Sequence, residues 1–218
     1  MYTTSEENYI KAVYHLQQSG KNVLTNDLAA SLQTKPASVT DMLKKLEAKD
    51  LLLYQKYYGV RLTPEGKKLA LSIIRRHRLW EFFLVEHLQF GWDEVHEIAE
   101  QLEHVKSDLL TDKLDEYMGL PKFDPHGDPI PDSKGRMETQ QQICLLQLKP
   151  NQGAEICAVS DQSTDLLEML RLKQLQIGTR LEVKQHFSFD NSLEIKIPNQ
   201  PPFSISEQLA KHLFVKLK

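Results

Sequence analysis

Between Leu24 and Pro64 two short amphipathic runs, interrupted by a proline, lead into a pair of β-like runs. No other stretch restricts the fold as tightly. Thr25 is placed to cap a first helix running to Leu32, with Leu28, Ala29 and Leu32 on one face. Gln33 to Lys35 make a brief connection, and Pro36 suits the first turn of a new helix, where its missing N–H costs nothing. That helix, PASVTDMLKKLEAKD, turns Val39, Met42, Leu43 and Leu46 inward and leaves Ser38, Thr40, Asp41, Lys44 and Lys45 mostly outward. LLLYQKYYGVRLTPEG then reads as two short strands pivoting near Gly59 and closed by Thr63 and Pro64. Helix, turn, helix and hairpin are the plan of a winged helix-turn-helix. A further helix over residues 5–18 precedes it, with Tyr9, Ile10, Val13, Tyr14 and Leu16 at helical spacing.

From Pro64 to Tyr117 the pattern is helical almost throughout, with a break near Phe90 to Trp92. Its apolar positions (Leu69, Ile73, Leu79, Phe82, Phe83, Val85, Leu88) exceed what one helix pair can bury, so a homodimer interface is expected. Seven Gly or Pro residues between Gly119 and Gly135 mark a linker or irregular crossing. Beyond it the texture turns to β: QICLLQL, AEICAVS, TRLEVKQ and LEIKIP, with a helical insert around Leu166 to Leu172. The expected fold class is mostly α with a small β domain. Its parts are a winged helix-turn-helix over 1–70, a helical dimerisation region over 71–140, and a small barrel-like β domain over 141–218.

The net charge of −3 conceals a partition. Residues 1–76 carry +5, residues 77–140 carry −9 and residues 141–218 carry +1. A basic first segment suits a polyanion, and an acidic second one suits a cation. No apolar run approaches the length of a membrane span, and MYTTSEENYI lacks the features of a signal peptide, so a cytoplasmic location with no membrane partner is expected. Cys144 and Cys157 lie in apolar runs without metal-type spacing, which favours reduced, packed thiols.

A helix-turn-helix lays the exposed N-terminal half of its second helix in the major groove of duplex DNA. Here that half offers Lys35, Ala37, Ser38, Thr40, Asp41 and Lys44. Small residues permit close approach, hydroxyls can bond phosphates, and lysines add sequence-independent affinity. Asp41 repels phosphate and is suited to a cytosine amino group or to a water-mediated contact. Lys56 and Arg61, beside Tyr57 and Tyr58, decorate the wing.

The segment VHEIAEQLEH crowds two histidines and three glutamates into ten positions. On a helical wheel His96, Glu100, Glu103 and His104 share one arc. The stretch offers no basic partner, so either water or a metal must compensate the charge. Upstream, His77 and Glu81 stand one turn apart; downstream, FDPHGDPIP adds Asp124 and His126. Histidine and carboxylate pairs on facing helices make an oxygen- and nitrogen-rich cage for a divalent ion. Two other readings stand beside this one: a winged-helix regulator of an organic ligand with a merely polar helix face, and a metal-dependent hydrolase with Glu97 or Glu100 as general base. The protease-like HExxH pattern fails, because Glu100 stands where a second histidine is required.

Taken together, SEENYIKAVY, KPASVTDMLKKLEAKDLL, LTPEGKKLA, RRHRLWEFFL, VHEIAEQLEHVKSD and PHGDPIP resemble the diphtheria toxin repressor and manganese transport regulator family of metal-activated repressors. The resemblance is close over residues 4–132, and looser to the SH3-like domain of the longer members. It implies a homodimer on a palindromic operator that controls metal-homeostasis genes. It also implies a primary metal site of Asn8, Glu100, Glu103 and His104 with His77 close by. A second site would use His77, Glu81 and His96, or Glu81 with Asp124 and His126, completed by Asp161 or Asp165. Iron-responsive members carry cysteine where this chain has Glu100. An all-oxygen and nitrogen donor set is harder and suits Mn²⁺ over Fe²⁺. Asn8 stands in place of an aspartate or methionine, and Lys11 in place of a carboxylate found in some short members. The mechanism expected from these parts has mutually repelling carboxylates and a loosely attached first helix in the absence of metal.

Overall fold

The computed structural model describes residues 2–17 and 22–217. It divides into two compact units. The first holds residues 1–77, 102–112 and 131–136, and the second holds 78–101, 113–130 and 137–218.

The winged domain in the first unit is built as the periodicity dictates. Helices α1 (Thr4–Gln17), α2 (Thr25–Ser31) and α3 (Pro36–Glu47) precede a hairpin of β1 (Leu52–Gln55) and β2 (Gly59–Leu62). Their inward faces meet in one core in which Ile10, Val13, Leu28, Val39, Leu43, Leu46, Leu52 and Val60 are buried. Residue 18, the expected end of the first helix, lies outside the described residues. Thr25 is the first helical residue of α2 and Leu24 takes the cap position, so the expected threonine cap is absent. The hairpin pairs Leu52 with Leu62 and Gln55 with Gly59, and Val23 adds a bridge to Val60. Gly59 has φ +94, and a Cβ there would lie 2.6 Å from the Val23 carbonyl oxygen. Only glycine permits that turn and that approach together.

α4 (Pro64–Glu86) is followed by α5 (Val95–Leu102) and α6 (Asp108–Tyr117). The helical stretch therefore breaks at 103–107 as well as near Phe90. In the second unit β3 (Ile143–Cys144), β4 (Gly153–Val159), β5 (Arg180–His186), β6 (Leu193–Lys196), β7 (Phe203–Ile205) and β8 (Leu213–Leu217) form a six-stranded antiparallel sheet in the order β3-β8-β4-β5-β6-β7. Helices α7 (Thr164–Leu172) and α8 (Glu207–Lys211) pack with it. Ile156, Leu167, Leu170, Val183, Ile195 and Val215 are buried in its core, together with Trp92 from the helical region. QICLLQL supplies only a two-residue strand before a 3-10 turn at Leu145–Gln147. No described helix is long and apolar enough to cross a membrane.

α1 starts with a reciprocal cap: the Thr3 N–H donates to Glu6 Oε2 at 3.0 Å and the Glu6 N–H to Thr3 Oγ1 at 3.3 Å. Glu6 is also gripped by Lys49 Nζ at 2.7 Å and Lys45 Nζ at 2.9 Å, which tie α1 to α3 and the turn after it. The Lys49 hydrogen bond, aided by Lys45 and the Thr3 N–H, outweighs burial and pulls the Glu6 carboxyl down to about 2. Because the folded-state value lies below the unfolded one, this stabilisation is present above about pH 4.5 and fades as pH falls toward 2. Glu6→Gln is expected to lower the melting temperature at pH 7, with the gap to the parent protein closing between those two pH values in thermal unfolding curves.

Candidate metal centre

Two groups of titratable side chains lie in the helical region, one in each unit. In the first unit α1, α4 and the turn after α5 meet. Glu103 and His104 sit beyond the last residue of α5 and so off its helical wheel. The turn after α5 aims both side chains. Glu103 is fully buried and its Oε2 lies 2.7 Å from Nδ1 of His77 on α4. Lys11 on α1 donates to both Glu103 oxygens, at 2.7 and 2.8 Å. Burial alone would raise this carboxyl, but the His77 hydrogen bond and the Lys11 charge prevail and hold it below the usual carboxylate range.

Next to Glu103, His104 places Nε2 3.8 Å from Glu103 Oε1 and Nδ1 2.6 Å from Oε2 of Glu7. Glu7 is buried, with Lys106 Nζ at 3.1 Å and Arg76 Nη2 at 3.9 Å. Lys106 also donates to the Tyr2 carbonyl. α1 is thus fastened to residues 103–106 by the protein's own charges. Glu7 and Glu103 each have a cation beside them. Asn8, one turn before Lys11, has a buried Oδ1 that accepts no hydrogen bond from any described residue.

In the second unit, Glu81 on α4 is completely buried. His96 Nδ1 lies 3.2 Å from its Oε1 and His126 Nδ1 lies 3.6 Å from its Oε2. Glu81, Asp124 and His126, all buried, bring one donor atom each within 4.8 Å of one another. Asp124 Oδ2 and His126 Nδ1 make no hydrogen bond among the described residues. Arg78 Nε stands 3.5 Å from Asp124 Oδ2, and its Nη2 stands 3.2 Å from Asp128 Oδ2. Burial, followed by the Glu81 and Asp128 charges, pushes the Asp124 carboxyl up. Burial would push the His126 imidazole down, but Glu81 and Asp124 win and push it up. This donor set fits a hard divalent metal: oxygen and nitrogen only, dry, with lone pairs left over.

The linker is seated by backbone geometry. The His126 ring is fixed by Nε2 at 2.8 Å from the Trp92 carbonyl and stacks on the Trp92 indole, which leaves Nδ1 toward Glu81. Its own carbonyl accepts from the Val159 N–H on β4 at 3.0 Å. Gly127, at φ +89, passes so near β4 that a Cβ would come within 2.1 Å of the Cys157 carbonyl oxygen.

The remaining expected residues fall as follows. Glu100 is half-buried one turn after His96, with its Oε1 3.9 Å from His96 Nε2. Asp161 lines a cavity of about 670 Å³ with His96, Asp93, Glu94 and Glu97. Asp165 is exposed on the first turn of α7 and outside that lining. On the winged domain Lys35, Ala37, Ser38, Asp41, Lys44, Lys56 and Arg61 are exposed. Thr40 is half-buried and its hydroxyl donates to the Pro36 carbonyl at 3.0 Å. Lys56 lies over the exposed Tyr57 ring at 5.0 Å. Cys144 and Cys157 are free thiols in the β domain. Reading the residues alone missed Glu7, Lys106, Arg76 and Arg78. The one-turn spacing of Glu7 and Lys11 on α1 was the available signal for the first.

A winged helix joined to buried clusters of metal-type donors defines a class, that of DNA-binding proteins with metal centres. Residues 1–60 match the family described as "Iron dependent repressor, N-terminal DNA binding domain". Residues 63–132 match "Iron dependent repressor, metal binding and dimerisation domain", and residues 143–217 match the FeoA domain. The HTH-type transcriptional regulator MntR of Bacillus pumilus is 36% identical over 123 residues, which cover 56% of this chain and 83% of that protein. The iron-dependent repressor IdeR of Mycobacterium leprae is 31% identical over 57% of this chain and 54% of its own length. A solved "Manganese-dependent transcriptional repressor complex with manganese" superposes with a TM-score of 0.86 at 30% identity, covering 98% of this chain and all of that one. The chain belongs to the diphtheria toxin repressor and manganese transport regulator family of metal-dependent transcriptional repressors.

Gly127→Ala is expected to cost about 1–3 kcal/mol through its positive φ, with a further loss from the contact with β4. It also shifts His126, so added Mn²⁺ raises the melting temperature less than in the parent protein. Gly119→Ala, with φ +77 and nothing within 4 Å of the added Cβ, carries the strain alone and leaves the Mn²⁺ effect intact. Differential scanning fluorimetry with and without Mn²⁺ checks both.

Proposed function

We propose that this chain is a homodimeric, metal-activated DNA-binding repressor of metal-homeostasis genes, with Mn²⁺ favoured over Fe²⁺ and with no catalytic role. The observation that carries this reading is the buried Glu81–Asp124–His126 trio, whose Asp124 Oδ2 and His126 Nδ1 are dehydrated and make no hydrogen bond among the described residues. A protein rarely leaves such atoms dry without a ligand. The preference for Mn²⁺ rests on donor chemistry: Asn8, Glu100, Glu103, His104 and His77 at the primary site, and Glu81, His96, Asp124, His126 and Asp161 around the second, include no sulfur.

Residues 1–70 form the DNA-reading domain, residues 71–140 the metal-binding and dimerising one, and residues 141–218 the SH3-like domain. Lys35, Lys44, Lys56 and Arg61 neutralise phosphates, while Ala37 and Ser38 allow the N-terminal half of α3 to approach the base edges. Asp41 faces a cytosine amino group. The Thr40 hydroxyl, spent on Pro36, still has acceptor capacity for DNA. In the second unit Leu88, Phe90, Tyr117 and Leu120 are exposed, apolar surface that a second copy can cover. A two-fold dimer holds two α3 helices at half-sites one DNA turn or a multiple apart, hence a palindromic operator in the cytoplasm. Bound metal would supply positive charge beside the buried carboxylates of both groups and so favour one arrangement.

The test is a selection from a random duplex library, run with Mn²⁺, with Fe²⁺ under anaerobic conditions, and with chelator. A palindrome enriched with metal and absent with chelator is the expected result. Glu103→Ala is expected to weaken the metal-dependent affinity about tenfold to a hundredfold while the dimer persists in light scattering. The same palindrome emerging in chelator removes the regulatory role of the metal groups and favours an organic-ligand regulator.

A further inference from the structure

We propose that Lys11 is a built-in rival of the metal at Glu103, which sets the metal concentration at which the protein responds. The inference rests on the metal-regulator reading above. The Lys11 ammonium meets both Glu103 oxygens at 2.7 and 2.8 Å, and the two side chains are only 13% and 0% exposed. This is a desolvated, two-pronged charge pair, unlike the surface ion pairs that contribute little. His77 takes Oε2 from the other helix at 2.7 Å. Both oxygens of the carboxylate therefore have protein partners. A divalent cation binds a carboxylate oxygen at about 2.0–2.2 Å. An ammonium cannot stay on the same oxygens beside it, because two like charges a few ångströms apart in a dry site repel strongly. Metal binding at Glu103 is thus an exchange of cations, and the ammonium must swing out on its four-carbon stem.

Asn8 sharpens the competition. It stands one turn before Lys11 on the same helix, and its buried Oδ1 accepts no hydrogen bond from a described residue. As an amide it donates a lone pair to a metal but offers no charge to draw the ammonium away from Glu103. Glu7, the other acid of this turn, is already engaged by His104, Lys106 and Arg76. Lys11 supplies at Glu103 part of the neutralisation that a bound metal would supply. The response then depends on the difference between two cations at one carboxylate, not on the appearance of the first.

The experiment measures Mn²⁺ binding by competition with a fluorescent chelator, and melting temperature in excess chelator, for the full chain and for Lys11→Met, Lys11→Arg and Glu103→Ala. Lys11→Met is expected to melt lower without metal yet to bind Mn²⁺ about tenfold tighter, at the binding step that Glu103→Ala removes. Lys11→Arg keeps the charge and stays near the parent affinity. A structural defect alone would weaken binding, so tighter binding is a signature it cannot produce. If Lys11→Met does not fold without metal, Lys11→Gln, which keeps a donor and loses the charge, is read in the same way. Unchanged or weaker Mn²⁺ binding in the uncharged variant overturns the proposal while the site reading stands. Loss of no binding step in Glu103→Ala overturns both.

Discussion

Compensation of buried carboxylate charge is the constraint on which the rest of this structure depends. Glu6, Glu7, Glu81, Glu103 and Asp124 are buried, and burying an ionised acid without a partner is far too costly to persist. Each is answered differently. Glu6 is met by two lysines of the winged domain, and serves the fold. Glu7 and Glu103 are met by cations and imidazoles from three separate stretches of chain, so their neutralisation also fastens α1. Glu81 and Asp124 are answered in part by imidazoles, which count only when protonated, with Arg78 at 3.5 Å from Asp124. The answers thus range from lysine pairs to groups that titrate.

That gradient separates structural acids from responsive ones. An acid with a permanent partner fixes a contact over a wide pH range. An acid whose neutralisation needs a proton or an exchangeable cation couples the contact to the surroundings. The first unit combines both kinds within two turns of α1, where Glu6 and Glu7 are neighbours in sequence but answer to different partners. Whatever changes the charge at Glu103 is felt by α1, and α1 packs directly into the core that supports α3. The path from carboxylate to recognition helix is short and made of rigid elements, a physical basis for coupling one to the other.

The β domain has a specific part in this. β4 accepts the linker through the Val159 N–H, Gly127 lets the two backbones approach, and Trp92 both joins the β-domain core and orients His126. Gln162, in the loop after β4, donates to Asp128 at 3.1 Å. The linker donors therefore owe their geometry to the sheet, which gives the family's longer architecture a reason beyond packing.

The amino-acid sequence by itself determined the winged helix-turn-helix, the β texture of the last third, and which histidines and carboxylates the helical region has to place. Those are consequences of periodicity, of Pro36 and Gly59, and of residue chemistry, all of which act over a few positions. Only the tertiary structure decided which donors meet. Glu103 and His104 lie in the turn after α5, which stops at Leu102, and a helical wheel cannot say that His77 and Lys11 meet the first and Glu7 the second. Lys11 and Glu103 are 92 positions apart and Arg78 and Asp124 are 46 apart, and no local pattern announces such pairs. The same long-range contacts answered the question of charge: the acidic segment has no basic partner in sequence, but burial brings it lysines and arginines from α1, α4 and the turn after α5, because an unpaired charge could not have been buried at all.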